Sequence, residues 1–320
     1  MGIARRDLLR WSAGVGGAAA VGGLGGLALP SAAWAGARTT PRGFPTDNWM
    51  RHVKDGVPLR GLTIPGTHDS CCENPNYGTE WSHTQNWGIT QQLQEGIRFL
   101  DIRCNGLQGA PDELGIYHSS AYQYIRLQDV LNQCRSFLQS HPTETVVMRL
   151  KNEYAGGQAL GEVEFRRRIN YYFNELGFRS LFHFYGWPTI DAARGKVVLL
   201  ADFANDWGLI NWSSTQNSYV DAQDVWEIDE AFPLVKKGKY IVGQFDKAFL
   251  NPGHPKMFVN FLSFANGNWP KSNAQTLMDQ TVYPYLKART EQRARFGIVP
   301  MDFPDFHVNV LHMLIDKNFV

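Results

Sequence analysis

Residues 61–72 read GLTIPGTHDSCC: a short apolar run, a Pro-Gly pair, then His68 and Asp69. An apolar run that stops at an ionisable pair reads as a buried strand delivering polar side chains to one end of a sheet. The pattern recurs along the chain. IRFLDIRC from 97 closes on Asp101 and Arg103, which are two apart and so share a face. LGIYHSS from 114 closes on His118, and TVVMRLKNE from 145 closes on Lys151 and Glu153. KVVLLADF from 196, FVNFLSFANG from 258 and FGIVPMDFP from 296 carry Asp202, Asn260 and Asp302. KYIVGQF from 239 reads as one more strand.

Amphipathic stretches lie between several of these runs. IRLQDVLNQCRSFLQSHP places Leu127, Val130, Leu131, Cys134 and Leu138 at helical spacing. GEVEFRRRINYYFNELG does likewise, ending at Gly177 as a C-cap, with its arginines expected in surface pairs. SNAQTLMDQTVYPYLKARTEQR reads as another helix, and VKKGK from 235 as a solvated basic turn. Strands alternating with helices predict a parallel sheet. About eight strands fit an α/β fold of TIM type, a single-domain (β/α) barrel. A doubly wound sheet is the alternative, but no Gly-rich phosphate fingerprint follows any strand. In a parallel barrel the strand ends converge on one rim, where such folds hold their sites. A structural polar layer is the competing explanation. It accounts poorly for His, Asp, Arg, His, Lys and Asp at successive strand ends.

The formal net charge is +1, without the basic excess of a nucleic-acid binder. Aromatic residues make up 13%, which suits either a well-filled core or a surface that meets lipid or sugar. The first residues, ARRDLLRWSAGVGGAAAVGGLGGLALPSAAWAGA, place Arg5-Arg6 before a Gly-rich apolar stretch and end on Ala33-Trp34-Ala35. This fits a twin-arginine export signal over 1–35 with an A-x-A cleavage site. A polar linker over 36–45 and a catalytic barrel over 46–320 follow, and the chain is expected to be secreted and to act as a monomer. Outside the cytoplasm, one or two disulfides among Cys71, Cys72, Cys104 and Cys134 are expected, with unreadable connectivity. No Cys-x-x-Cys spacing suggests zinc, and the other seven histidines make no metal-ligand spacing. Ser70 lacks a G-x-S-x-G elbow.

Two histidines, a guanidinium and several carboxylates on one rim suit phosphoryl chemistry. Cleaving a phosphodiester through a neighbouring hydroxyl needs a base, a cation on the phosphoryl oxygens and an acid for the leaving oxygen. Imidazole titrates near the working pH, and arginine offers a bidentate fork to phosphate. Asp69 and Asp302 are candidates to orient the imidazoles.

These residues sit in an ordered set of motifs: IPGTHDS, GIRFLDIR, YHSSAYQYIRLQDVL, TETVVMRLKNEY, ARGKVVLL, FVNFLSFANG and GIVPMDF. From Arg60 to Asp302 the chain resembles the bacterial phosphatidylinositol-specific phospholipases C and, more widely, the X region of phosphoinositide phospholipases C. The resemblance implies a distorted, incomplete barrel that cleaves phosphatidylinositol in membranes to diacylglycerol and a cyclic inositol phosphate. It implies His68 as general base supported by Asp302, Arg103 on the phosphate with Asp101 beside it, and His118 as general acid with Asp69 as partner. It further implies Lys151, Asp224 and Trp226 on the inositol, and Trp87 and Trp269 as membrane contacts, with Trp81 nearby. Arg103 stands where calcium-dependent relatives recruit a metal, so no metal or other cofactor is expected. Asp202 departs from the pattern, because metal-independent relatives carry an arginine there; it is still expected on the substrate, where its carboxylate would accept from inositol hydroxyls. Other readings are a glycerophosphodiester-type phosphodiesterase and a non-catalytic inositol-lipid-binding protein on the same barrel.

Overall fold

The computed structural model describes residues 39–155, 158–212, 219–266 and 268–320. The expected export signal lies outside them. Residues 39–45, read as linker, pack on the body of the protein: Thr40 is buried and its hydroxyl bonds Asp316 Oδ1 at 2.5 Å.

The strands are β1 (Thr63–Thr67), β2 (Phe99–Leu107), β3 (Ala110–His118), β4 (Ala121–Arg126), β5 (Val146–Asn152), β6 (Phe182–His183), β7 (Val197–Asp202), β8 (Ile210–Asn211), β9 (Val220–Gln223), β10 (Met257–Asn260) and β11 (Gly297–Met301). The helices are α1 (Ile89–Gln94), α2 (Leu127–Ser140), α3 (Glu162–Asn174), α4 (Ile190–Ala193), α5 (Pro233–Leu250), α6 (Pro270–Leu277), α7 (Tyr283–Lys287) and α8 (Val308–Asp316). One curled sheet runs β6-β7-β5-β2-β1-β11-β10-β9, parallel throughout this path. Among the described residues no ladder joins β9 back to β6 or β8, so the barrel stays open on that side.

β1, β10 and β11 are buried at every position, which is why they read as continuous apolar runs rather than alternating ones. Gly297 is obligatory at the start of β11. Its φ is +74°, and an added Cβ would lie 2.1 Å from the Phe258 carbonyl oxygen. α2 buries Leu127, Val130, Leu131, Cys134, Phe137 and Leu138, the stripe its sequence spacing predicts.

Several expectations are corrected. KYIVGQF is not a strand; it lies inside α5. The buried set Lys237, Gly238, Ile241, Gln244, Phe245 and Ala248 recurs at helical spacing once the whole helix is considered. VKKGK belongs to the same helix, and its Lys237 is buried rather than solvated. GIYHSS is a strand, but β3 runs antiparallel to β2 and forms a hairpin with β4. The expected helix over 272–293 divides into α6, a π turn at Met278–Val282 and α7, where Pro284 removes a backbone donor. All four cysteines are free, buried thiols rather than disulfides. They pack as small apolar side chains, and burial pushes the Cys134 thiol up to about 12.

Candidate active site

β1 ends at Thr67, and the chain turns over Asp69 in the left-handed region (φ 42°). Buried side chains fix this turn. Gln85 Nε2 donates to the carbonyls of His68 (2.7 Å) and Met301 (3.0 Å), joining the ends of β1 and β11. The Thr84 hydroxyl donates to the Asp69 carbonyl (3.1 Å), and Gln92 Nε2 donates to the Ser70 carbonyl (2.7 Å). Ser70 Oγ accepts the Asp101 N–H at 2.8 Å and so ties the turn to β2. Ser70 is therefore a fixture of the loop, with its oxygen turned away from nucleophilic duty.

His68 is held between two carboxylates. Its Nδ1 lies 2.9 Å from Asp302 Oδ1, and its Nε2 lies 3.3 Å from Asp69 Oδ2. Burial works against the imidazolium, but Asp69 and Asp302 outweigh it, so the His68 pKa rises above its ordinary value. Burial raises the Asp302 carboxyl. Asp69 is also buried, yet Arg103, His68 and His118 hold its carboxyl below the ordinary range. Asp69 Oδ2 makes no hydrogen bond of good geometry, and His118 Nε2 stands 3.6 Å away. One buried oxygen thus faces both imidazoles. His118 reaches this point because the tight turn from β3 to β4, with Ser119 at φ 52°, carries it over the rim.

Arg103 projects from β2 between these groups. Nε and Nη2 donate to Asp101 Oδ2 at 3.1 and 2.8 Å, and Nε is 2.8 Å from Asp69 Oδ1. Asp101 is buried, but Arg103 and then Arg149 overcome that penalty and hold it far below the usual carboxylate range. His68, Asp69 and Asp101 could offer three ligand atoms within 4.8 Å of one another. Arg103 contacts both carboxylates at hydrogen-bond distance, so its guanidinium fills the position a cation would take, and the cluster does not fit a metal.

A cavity of about 390 Å³ opens above these groups. His68, Asp69, Arg103, His118, Lys151, Asp224, Trp226 and Asp302 all line it. Lys151 pairs with Glu153 at 2.9 Å. Asp101 stands behind Arg103, outside the lining. Asp202 is also outside it. Its carboxylate is held by Arg149, with Nε and Nη2 at 3.1 and 2.6 Å from Oδ2.

Arg149 lines the cavity and was not anticipated. Its guanidinium lies over the Trp212 ring, 4.5 Å from the centroid, and Nη1 donates to Asp101 Oδ1 at 3.3 Å. The signal was present in RLK: residues 149 and 151 alternate onto one face of β5. Lys237 is the second unanticipated residue. Its Nζ donates to Gln223 Oε1 (3.0 Å) and the Val225 carbonyl (2.8 Å), gripping the segment that presents Asp224 and Trp226. Burial lowers its pKa to about 7.

Trp87 corrects an expectation. It is only 8% exposed and packs in the core, while its carbonyl accepts Gln92 Nε2 at 2.6 Å. The exposed pair at the rim is Trp81 and Trp269, with ring centroids 5.0 Å apart.

Residues 62–202 match the family model for the X domain of phosphatidylinositol-specific phospholipase C. The 1-phosphatidylinositol phosphodiesterase of Listeria monocytogenes is 30% identical over 278 residues, spanning 81% of this chain and 82% of the relative. The chain belongs to the bacterial phosphatidylinositol-specific phospholipase C family. The corresponding enzyme of Staphylococcus aureus is 26% identical over 300 residues, covering 85% of this chain and 94% of the relative. Solved structures agree. A phosphatidylinositol-specific phospholipase C from S. aureus superposes with a TM-score of 0.74 at 25% identity, over 86% of this chain and 98% of that one. The L. monocytogenes enzyme gives 0.71 at 27% identity, over 86% and 99%. The open parallel barrel is therefore the phospholipase C barrel, and the cavity lies where its strands end.

Proposed function

We propose that this chain cleaves phosphatidylinositol by intramolecular phosphoryl transfer, with no metal. His68 takes the proton of the inositol 2-hydroxyl through Nε2, while Asp302 holds Nδ1. The hydroxyl oxygen attacks phosphorus as the bond to the diacylglycerol oxygen breaks. His118 protonates that oxygen, so diacylglycerol leaves and inositol 1,2-cyclic phosphate remains. Arg103 steadies the charge on the phosphoryl oxygens with the N–H groups not engaged by Asp101. The observation that carries this reading is one buried carboxylate, Asp69, placed 2.8 Å from Arg103 Nε and 3.3 and 3.6 Å from the two imidazole Nε2 atoms.

Lys151, Asp224 and Trp226 take the inositol side. The arginine expected at position 202 is absent, but Arg149 brings a guanidinium into the cavity from the neighbouring strand. Asp202 then serves as its anchor. The deciding experiment follows phosphorus NMR of phosphatidylinositol vesicles with the protein in EDTA. The cyclic phosphate signal should appear at an unchanged rate. A metal requirement without cyclic product would indicate a glycerophosphodiesterase, and binding without turnover a lipid-binding module.

Membrane contact falls to Trp81 and Trp269, which are 38% and 48% exposed beside the cavity mouth. Indole suits the headgroup boundary. Trp81→Ala with Trp269→Ala should weaken binding to phosphatidylcholine vesicles by roughly tenfold and leave turnover of a soluble substrate intact. Unchanged vesicle binding in a sedimentation assay would remove these residues from the interface.

A further inference from the structure

At the opposite end of the barrel, ahead of β1 and β11, lies a second cavity of about 510 Å³ whose charged lining is entirely cationic. Arg60, Arg293, Arg295 and Lys317 line it, with His254, and its lining contains no Asp or Glu. The β1 strand, roughly 17 Å long, separates it from His68. Among the described residues none of these four cations lies within ion-pair distance of a carboxylate. The active site is arranged the other way, with every arginine against an aspartate.

Two of the four are buried. Arg295 is 7% exposed, and its guanidinium donates to the main-chain carbonyls of Arg60, Asn251, Pro252 and Lys256. These bonds fix its orientation and leave its charge uncompensated, with one N–H unused. Burial and then the neighbouring Arg60 lower its pKa. Lys317 is 1% exposed and donates to the carbonyls of Arg289 and Gln292, leaving one N–H. Burial and then Arg42 bring it down to about 8. Glu291 and Asp316 act on it in the opposite sense, but Glu291 pairs with Arg42 at 2.8 Å and Asp316 accepts the Thr40 hydroxyl. His254 Nδ1 accepts the Lys256 N–H, which leaves Nε2 as its donor.

Buried like charges without a counter-ion are costly, and an anion in the cavity would relieve both the desolvation and the mutual repulsion. Guanidinium and ammonium donors around a volume in the small-molecule range suit a phosphate group carried on something larger than orthophosphate. We propose that this cavity binds a phosphate-bearing anion, as a site separate from the catalytic one.

The test is calorimetric titration of the full chain with inorganic pyrophosphate at low salt. Phosphatidylcholine vesicles with and without phosphatidylglycerol are compared in parallel. The Arg103→Ala variant removes binding at the catalytic end. Arg60→Ala with Arg293→Ala removes the two cavity cations whose side chains make no hydrogen bond or ion pair among the described residues, so folding and turnover of a soluble substrate should be unchanged. Pyrophosphate should bind Arg103→Ala, and adding the cavity substitutions should weaken that binding at least tenfold. Loss of pyrophosphate binding assigns the site to a free phosphate compound. A loss seen only with phosphatidylglycerol vesicles assigns it to a lipid headgroup. Binding of both probes unaffected by the cavity substitutions, or abolished altogether by Arg103→Ala, overturns the proposal.

Discussion

Arg98, immediately ahead of β2, and Arg103, within it, do opposite things. Arg98 directs all five N–H groups to protein acceptors: Nε to Glu144, Nη1 to the Leu93 and Ile97 carbonyls, and Nη2 to those of Thr46 and Asp47. Neither its side chain nor that of Glu144 has any exposure. Arg103 gives two of its five N–H groups to Asp101, with Nε also 2.8 Å from Asp69, and its side chain, 15% exposed, lines the cavity. Both guanidinium groups are held by carboxylates. A saturated fork is a structural tie, whereas a half-saturated fork facing a cavity is a binding group.

Substitution at Arg103 should give the largest effect. Arg103→Leu is expected to lower kcat/KM on phosphatidylinositol by on the order of 10³-fold or more, since it removes the cation facing the developing phosphoryl charge. The melting temperature should fall as well, because Asp101 and Asp69 are buried carboxylates that lose their compensating cation. A variant that retains a tenth of wild-type activity would show that phosphate stabilisation comes from elsewhere.

Around Arg98 the cost should fall on stability alone. Glu144→Ala should cost about 3 kcal/mol of stability, near the lower bound for breaking a buried pair because Arg98 keeps four carbonyl acceptors. Glu144 also accepts the N–H groups of Met50 and Arg51, so the segment before β1 should loosen with it. Urea unfolding would check this, with kcat per folded molecule expected to stay at the wild-type value. Lost activity in the folded protein would mean that the two regions are coupled.

The sequence displays these regions unequally. β1, β2, β5, β7 and β11 are legible because an apolar run ends on charged residues that a core would otherwise exclude. His68, Arg103, Lys151 and Asp302 follow from the same rule. KYIVGQF misleads because a seven-residue apolar window carries too little phase to separate a period of two from one of 3.6. Only the full length of α5 shows the helical stripe. β6, β8 and β9 span two to four residues each and leave no periodic signal. Trp81 and Trp87 have the same chemistry, and which one is exposed depends on how the loop over Gln85 and Gln92 packs. The Arg98–Glu144 tie is invisible for a related reason, since its partners are main-chain carbonyls and a residue 46 positions away.

Asp302 tests how the site tunes its base. Its charge and hydrogen bond both raise the His68 pKa, which lies above the ordinary value. Removing the charge must therefore lower that pKa. Since the base works deprotonated, the acid limb of the kcat/KM profile should move to lower pH in Asp302→Asn. The plateau should fall by roughly 10²-fold, because the imidazole loses its orienting partner. A slower enzyme whose acid limb stays in place would mean that another group controls that limb.

Arg149 lies between the two extremes, and its effect should be the smallest. It directs three of its five N–H groups to Asp202 and Asp101 and leaves two beside the cavity. A group that only grips the inositol contributes alike to the bound substrate and the transition state. Arg149→Leu should accordingly raise KM by about tenfold while kcat changes little. Strand register supplies a sharper version. Lys151 on β5 lies opposite Asp202 on β7, and Arg149 lies opposite Leu200, one step below. Moving the guanidinium across, as Arg149→Ser with Asp202→Arg, keeps a cation on that wall and should recover part of the lost affinity. Asp202→Arg alone would set two guanidinium groups against each other and should not improve on wild type. If Arg149→Leu leaves KM untouched, the pair is a second structural tie like Arg98 and Glu144, and the inositol is held by Lys151, Asp224 and Trp226 without it.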